Sequence, residues 1–314
     1  MCSKAAISNW ILAFALVCLA ACDGGEEARA LERIERLAFV PAGRSVLLPA
    51  TSPVDCSTPE PLLVDRFEVT REEWKRWIGK LPKGDPALSS LEFWDDPDVE
   101  LHPATGMTLG EARAFADDQG MRLPTAREWI RIAVGTRCQY YPWGHKPAVL
   151  AANTDDLNLG RLTPVGTFEA GSTPLGVYDL HGNAAEWVEE PIVHVTVPEE
   201  KGVNDTRTWA MGGSFHSRTR ATYEFDDPGG TVAYNALLLD PRTRDAEVGL
   251  RLVAEAEAWL REESRRWSDD HATRERLECV GRRWGRSAAP LLRRLVEEDG
   301  AAPGLQSLLD GAEA

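Results

Sequence analysis

The stretch Leu175–Trp187, LGVYDLHGNAAEW, gathers chemically capable side chains around a single turn. Two carboxylates, Asp179 and Glu186, bracket a His-Gly-Asn turn, with Tyr178 and Trp187 at its ends. Gly182 admits a backbone conformation that a side chain opposes. Asn183 followed three residues later by Glu186 has the form of a helix N-cap with its reciprocal partner, so the spacing predicts a sharp turn and then a short helix. Other patterns point away from familiar catalysis. The chain has no Gly-rich phosphate loop and no Gly-x-Ser-x-Gly elbow. His216 and Ser217 are adjacent, and adjacent side chains diverge on a strand, so they do not suggest a triad. There is no Cys-x-x-Cys and no Cys/His spacing of the zinc type.

The elements around this stretch announce themselves locally. Thr70 with Glu73, Thr108 with Glu111 and Thr125 with Glu128 each form a Thr-x-x-Glu capping box, and each predicts a helix start. The three helices would carry core stripes of Trp74, Trp77 and Ile78, then Ala112, Phe115 and Ala116, then Trp129 and Ala133. Short strands are expected from Leu37 and over Leu62–Val69. Between Gly79 and His102 the Pro- and Asp-containing sequence reads as a surface loop. From Tyr140 to Val197 periodicity gives way to Gly, Pro and Asn, and ordered irregular chain of that length needs buried tryptophans or metal ions to hold it.

In order along the chain stand LLVDRFEVTREEW (62–74), RLPTAREW (122–129), YPWG (141–144), GNAAEW (182–187), GGSF (212–215) and VGLRLV (248–253). Together they resemble the formylglycine-generating enzyme family, also called the sulfatase-modifying-factor family. The resemblance covers roughly residues 36 to 254 and implies an α+β, C-type-lectin-like fold with much irregular chain. It further implies a calcium site with Asp179 and Glu186 as carboxylate ligands and Gly182 and Ala184 as carbonyl ligands, and a weaker second site at Asn153 with Asp155 or Asp156. Oxygen donors around a tight turn suit calcium. In the family a pair of cysteines follows Gly-Gly-Ser-aromatic and holds copper(I), which oxidises a substrate cysteine. Here those positions are Ser217 and Thr222, and neutral hydroxyls do not hold so soft an ion, so copper is not expected. Some relatives take iron on His-x-x-x-Glu-x-His. His271 and Glu275 match, but Leu277 replaces the second His, and iron is not expected either. The segment after Gly-Gly-Ser lines the family's substrate groove, which makes Trp209, His216, Arg218 and Arg220 candidate ligand contacts.

The ends of the chain read differently. Residues 5–21 are uncharged and largely apolar, the length of a secretion signal and short for a membrane span. Leu19-Ala20-Ala21-Cys22 resembles the bacterial lipobox, in which the Cys is lipidated and becomes the mature N-terminus. The expected organisation is a lipoprotein signal peptide over 1–22, a charged tether over 23–35, the family domain over 36–254 and a helical extension over 255–314. In the extension, Trp259, Leu260 and Trp267 share one helix face and Leu277, Val280 and Trp284 a second, while Pro290 opens a third helix carrying Leu291, Leu292 and Leu295. With Cys22 lipidated, Cys56, Cys138 and Cys279 remain in the mature chain, enough for one disulfide whose partners the sequence does not name.

A formal charge of −15 disfavours nucleic acid and favours a cationic partner or a divalent cation. The expectation is an envelope lipoprotein, anchored in the membrane by lipid and facing the periplasm or the outside. Its domain would be a non-catalytic module for a protein or peptide ligand. The alternative is a family oxidoreductase with altered active-site chemistry.

Overall fold

The structure is a computed structural model that describes residues 26–44, 46–47, 54–55, 57–96, 98–137, 139–189, 207–217, 235–298 and 302–314. The expected signal segment with Cys22 lies outside these residues. Among the described residues no helix is long and apolar enough to cross a membrane.

The chain divides into two compact units, one of residues 36–259 with 286–288, the other built from both ends of the chain. In the larger unit, β1 (Leu37–Val40), β4 (Leu62–Asp65) and β9 (Val253–Glu255) form an antiparallel sheet in the order β1-β4-β9. β2 (Val46–Leu47) and β3 (Val54–Asp55) make a separate hairpin. A second sheet has the order β7-β6-β5-β8, from β5 (Ala185–Trp187), β6 (Thr208–Met211), β7 (Ala236–Leu239) and β8 (Val248–Gly249). β5 pairs antiparallel with β6 and parallel with β8, so the Gly-Asn-x-x-Glu-Trp segment runs through the middle of this sheet.

All three capping boxes form. Thr70, Thr108 and Thr125 accept from the backbone N–H of Glu73, Glu111 and Glu128, and each Glu returns a bond to the cap. They open α2 (Arg71–Ile78), α3 (Leu109–Asp118) and α4 (Ala126–Val134). Trp74, Trp77 and Phe115 pack as an aromatic cluster with centroids 4.8 to 5.6 Å apart. Trp129 and Ile130 sit in a larger core with Val64, Leu180, Met211 and Val253. The segment expected as a surface loop after Gly79 instead carries a 3₁₀ turn over Pro86–Phe93 and buries Ala87 and Trp94. The Trp94 indole donates to the Thr105 carbonyl 2.9 Å away, which anchors the segment to the body.

The smaller unit corrects the expected tether. Residues Glu26–Glu35 form a helix, α1, in which Ala30, Leu31 and Ile34 are buried at a helical spacing. α1 packs on α6 (His271–Trp284), where Arg276 makes a bidentate pair with Glu35 at 2.6 and 2.9 Å and Arg283 donates to the Glu35 carbonyl. α5 (Ala256–Glu263) leads in from β9, and α7 (Ala289–Glu298) begins beside Pro290 as expected. A further helix, α8 (Pro303–Glu313), lies so close to α6 that a Cβ on Gly281 would stand 2.0 Å from the Leu308 carbonyl oxygen. Cys279 is exposed and unpaired in a disulfide, while Cys56 and Cys138 fall outside the described residues.

Candidate functional site

The turn before β5 is built round Asn183, and the expected N-cap and helix do not form. Asn183 has φ +61°, a left-handed conformation that cannot enter a helix as its cap. Its side chain is spent on long-range partners instead. Oδ1 accepts from Asn153 Nδ2 at 3.0 Å and from Thr163 N and Oγ1 at 3.0 and 3.1 Å, and Nδ2 donates to Glu68 at 2.7 Å. Glu68 also accepts from Ala184 N, so the chain leaves the turn already directed as a strand. Gly182 is required at φ +79° because a Cβ there would lie 2.1 Å from the Asn153 carbonyl oxygen.

Glu186 points from β5 into the core and meets Arg251, both with side chains at most 1% exposed. Arg251 donates through Nε to both carboxylate oxygens at 3.0 Å and through Nη2 to Oε1 at 2.6 Å, while the Trp129 indole donates to Oε2 at 2.7 Å. The remaining guanidinium donors reach the Asp65 and Tyr178 carbonyls. Asp179, at φ +56°, accepts from Gly166 N at 2.6 Å. One guanidinium thus serves three buried carboxyls, Glu68, Asp179 and Glu186. The excess acidity appears in their protonation. Burial pushes Glu68 well above the usual carboxylate range, with Asp179 and Glu186 adding to the effect and Arg251 opposing it. Burial likewise lifts Asp179 to about 6, against the pull of the Gly166 N–H and Arg251. His181, between them, lies edge-on to Tyr141 and Trp143, and burial lowers it to about 4.

This geometry tests the calcium donor set implied by the resemblance. Each Glu186 oxygen receives two N–H donors, which uses the lone pairs a carboxylate has to offer. With one of its two carboxylates committed to a guanidinium, the set Asp179, Gly182, Ala184 and Glu186 does not fit a calcium ion as folded. At the weaker site Asn153 donates to Asn183 through Nδ2 while its buried Oδ1 accepts from no described residue, and Asp156 is exposed. Among the described residues no group of three or more His, Cys, Asp or Glu is placed to hold a metal. His271 and Glu275, the partial iron motif, form a 3.6 Å surface pair.

A different cluster forms at the end of β6, beyond Gly212 and Gly213. Ser217, where the resemblance puts the first cysteine, accepts from Ser214 N at 2.9 Å and closes the turn. The Ser214 hydroxyl donates to Glu247 Oε2, and His216 Nδ1 stands 2.6 Å from Glu247 Oε1. Asn235 completes the group, since its side chain and Ser217 Oγ both crowd Gly213, at φ +69°. The cluster is fastened to the turn below it: Phe215 N donates to the Asn183 carbonyl and Ala185 N to the Glu247 carbonyl. Ser214 is buried, whereas the His216 side chain is 57% exposed, so the imidazole faces out from a fixed base.

Of the expected groove residues, His216 therefore lies in this cluster. Trp209 is partly buried and packs on the core near Met211. Arg218, Arg220 and Thr222 lie outside the described residues. Sequence reading missed Glu247 and Asn235. Only their places beside the VGLRLV motif and opposite Gly-Gly-Ser could have drawn attention to them. A cavity of about 240 Å³ opens elsewhere, lined by Val40, Arg131, Arg137, Gln139, Pro142 and Leu175.

Two small sheets, capped helices and long irregular chain pinned by a buried Glu–Arg pair define a C-type-lectin-like α+β domain. The solved structure of Treponema denticola variable protein 1 shows the same fold at a TM-score of 0.54, with 17% identity, over 70% of this chain and 94% of that one. Residues 25–256 match the sulfatase-modifying factor enzyme 1-like domain, and the chain belongs to that family. It is similar to the hercynine oxygenase of Mycolicibacterium thermoresistibile, 28% identical over 160 residues, 41% of this chain and 35% of that protein. It is also similar to the formylglycine-generating enzyme of Mycobacterium tuberculosis, 31% identical over 159 residues, 46% of this chain and 47% of that protein. The chain thus spans between about a third and a half of the length of these relatives.

Proposed function

We propose that this protein is a lipid-anchored protein of the bacterial cell envelope whose family domain receives a protein or peptide ligand without oxidising cysteine through copper. The observation that carries the reading is Ser217. At the position of the first copper-binding cysteine stands a hydroxyl, already engaged by Ser214 N, and the second position is Thr222. Copper(I) selects thiolate and thioether donors, and neither residue supplies one. The named relatives are an oxygenase and a formylglycine-generating enzyme, yet a shared fold does not carry chemistry without the site that performs it. What the face beyond Gly213 retains is a fixed polar cluster and an outward imidazole, suited to contacting a ligand. The acidic surplus of the chain favours a cationic ligand over a phosphate backbone.

The anchor is tested by growing cells with labelled palmitate: the wild-type chain takes the label and Cys22→Ser does not. The ligand reading is tested on the full chain purified in detergent, with a displayed random-peptide library and with metal analysis. Selected peptides are expected to bind wild type and to lose binding to Trp209→Ala and His216→Ala. Stoichiometric copper, or conversion of cysteine-containing peptides to an aldehyde by mass spectrometry, would overturn the reading in favour of a family oxidoreductase.

A further inference from the structure

The cluster at His216 holds more order than binding alone requires. Glu247 Oε1 lies 2.6 Å from His216 Nδ1, and a carboxylate can only accept, so Nδ1 carries the proton that faces it and, in the neutral ring, Nε2 is the nitrogen that keeps its lone pair. Glu247 is itself held from three directions. Its second oxygen accepts from Ser214 Oγ, its N–H donates to Asp245 Oδ1 at 2.8 Å, and its carbonyl accepts from Ala185 N on β5. Phe215 packs against the imidazole with ring centroids 4.2 Å apart and limits its rotation. The exposed ring therefore presents Nε2 in one tautomer and one orientation, an arrangement that serves general-base work.

We propose that His216 is a proton-accepting catalytic residue on this face, with Glu247 as its positioning residue, and that its substrate class is a peptide group bearing a hydroxyl or thiol. This rests on the reading that the face receives a peptide. The O–H or S–H proton passes to Nε2, and the bonding electron pair stays on the oxygen or sulfur as a nucleophile. The imidazolium that forms keeps its Nδ1–H on Glu247 Oε1, and its positive charge faces a carboxylate. Ser214 is not the nucleophile, because its hydroxyl is directed to Glu247 and away from the ring.

The test needs no knowledge of the ligand. With p-nitrophenyl acetate as probe, Nε2 takes a proton from water as the water oxygen bonds to the acyl carbon. The ester C–O bond breaks, nitrophenolate leaves with the electron pair, and the imidazolium returns its proton to buffer. The full chain is expected to release nitrophenolate about tenfold or more faster than His216→Gln, an exposed substitution that leaves the fold intact. Glu247→Ala is expected to lose most of that advantage. On ¹⁵N-histidine protein, the neutral form of the His216 ring is expected to show protonated Nδ1 and bare Nε2, and to revert in Glu247→Ala to the Nε2–H form that free imidazole side chains favour. Equal rates for wild type and His216→Gln, or an Nε2–H ring in the wild type, would overturn the proposal. A ring as described in a protein that selects no peptide would instead remove the peptide-binding reading and leave the base standing.

Discussion

Two polar clusters joined through the backbone behave in opposite ways. Around Asn183 and Glu186 every group is buried, and the partners come from Glu68, Asn153, Thr163 and Arg251, so the cluster fixes the path of irregular chain. Around Glu247 the carboxylate is partly exposed, with one partner, Ser214, buried and the other, His216, facing out, so the cluster fixes a single ring. The two are joined through backbone bonds from Phe215 N to the Asn183 carbonyl and from Ala185 N to the Glu247 carbonyl. The same residue types hold the fold where water is excluded and present a reactive atom where it is not. Burial, more than residue identity, separates the two roles.

The contrast breaks most sharply at Arg251. Arg251→Met leaves three buried carboxyls with no cation, and a loss of about 3–5 kcal/mol is expected in urea unfolding. An unchanged midpoint would show that the carboxyls are protonated and need no partner.

His181 and Asp179 give opposing pH slopes in one window. The lowered value of His181 means its contribution is complete above its ordinary 6.5 and is lost as pH falls toward 4. His181→Phe keeps an aromatic ring and cannot bind a proton, so it should cancel an acid-side loss on the order of 3 kcal/mol. The raised value of Asp179 works the other way. Its contribution is complete below 3.8 and is lost as pH rises through about 6. Asp179→Asn keeps an acceptor for Gly166 N and suits φ +56°, and thermal melts should find it more stable than wild type above pH 6 by up to about 3 kcal/mol. Matching pH profiles for wild type and either variant would count against the assigned group.

At the outer cluster the expected cost is small. Glu247→Ala should lower stability by about 1–2 kcal/mol, since His216 is largely solvated and only the buried Ser214 hydroxyl is left without its acceptor. A loss as large as that from Arg251→Met would erase the distinction between the clusters. Smallest of all, chelation with EDTA should leave the unfolding midpoint unmoved, because Glu186 is bound to a guanidinium. A drop would restore the calcium reading.

What was legible in the sequence was whatever is decided nearby. Thr70, Thr108 and Thr125 and their glutamates settle their helix starts within three residues, and all three form. Asn183 and Glu186 carry the same local signature and fail, because Glu68 lies 115 residues from Asn183 and Arg251 lies 65 from Glu186, and these partners win both side chains. His216 stood out in the sequence as an expected ligand contact, through the motif before it. Its partner Glu247, 31 residues on, was not, since no local spacing links an exposed His to a Glu beyond an intervening strand. The helix over Glu26–Glu35 was missed for a related reason: charged residues dominate it, and the buried trio Ala30, Leu31 and Ile34 is short.

That first helix has a consequence for how the protein is made. Its partner on α6 includes Arg276, separated from Glu35 by 241 residues. Until that late segment has emerged, the apolar face of α1 has no native surface to cover it, and the larger unit between them can fold first. The smaller unit therefore closes only after α6 has been made, and a chain that ends before α6 is left displaying Leu31 and Ile34 as the mark of an unfinished product.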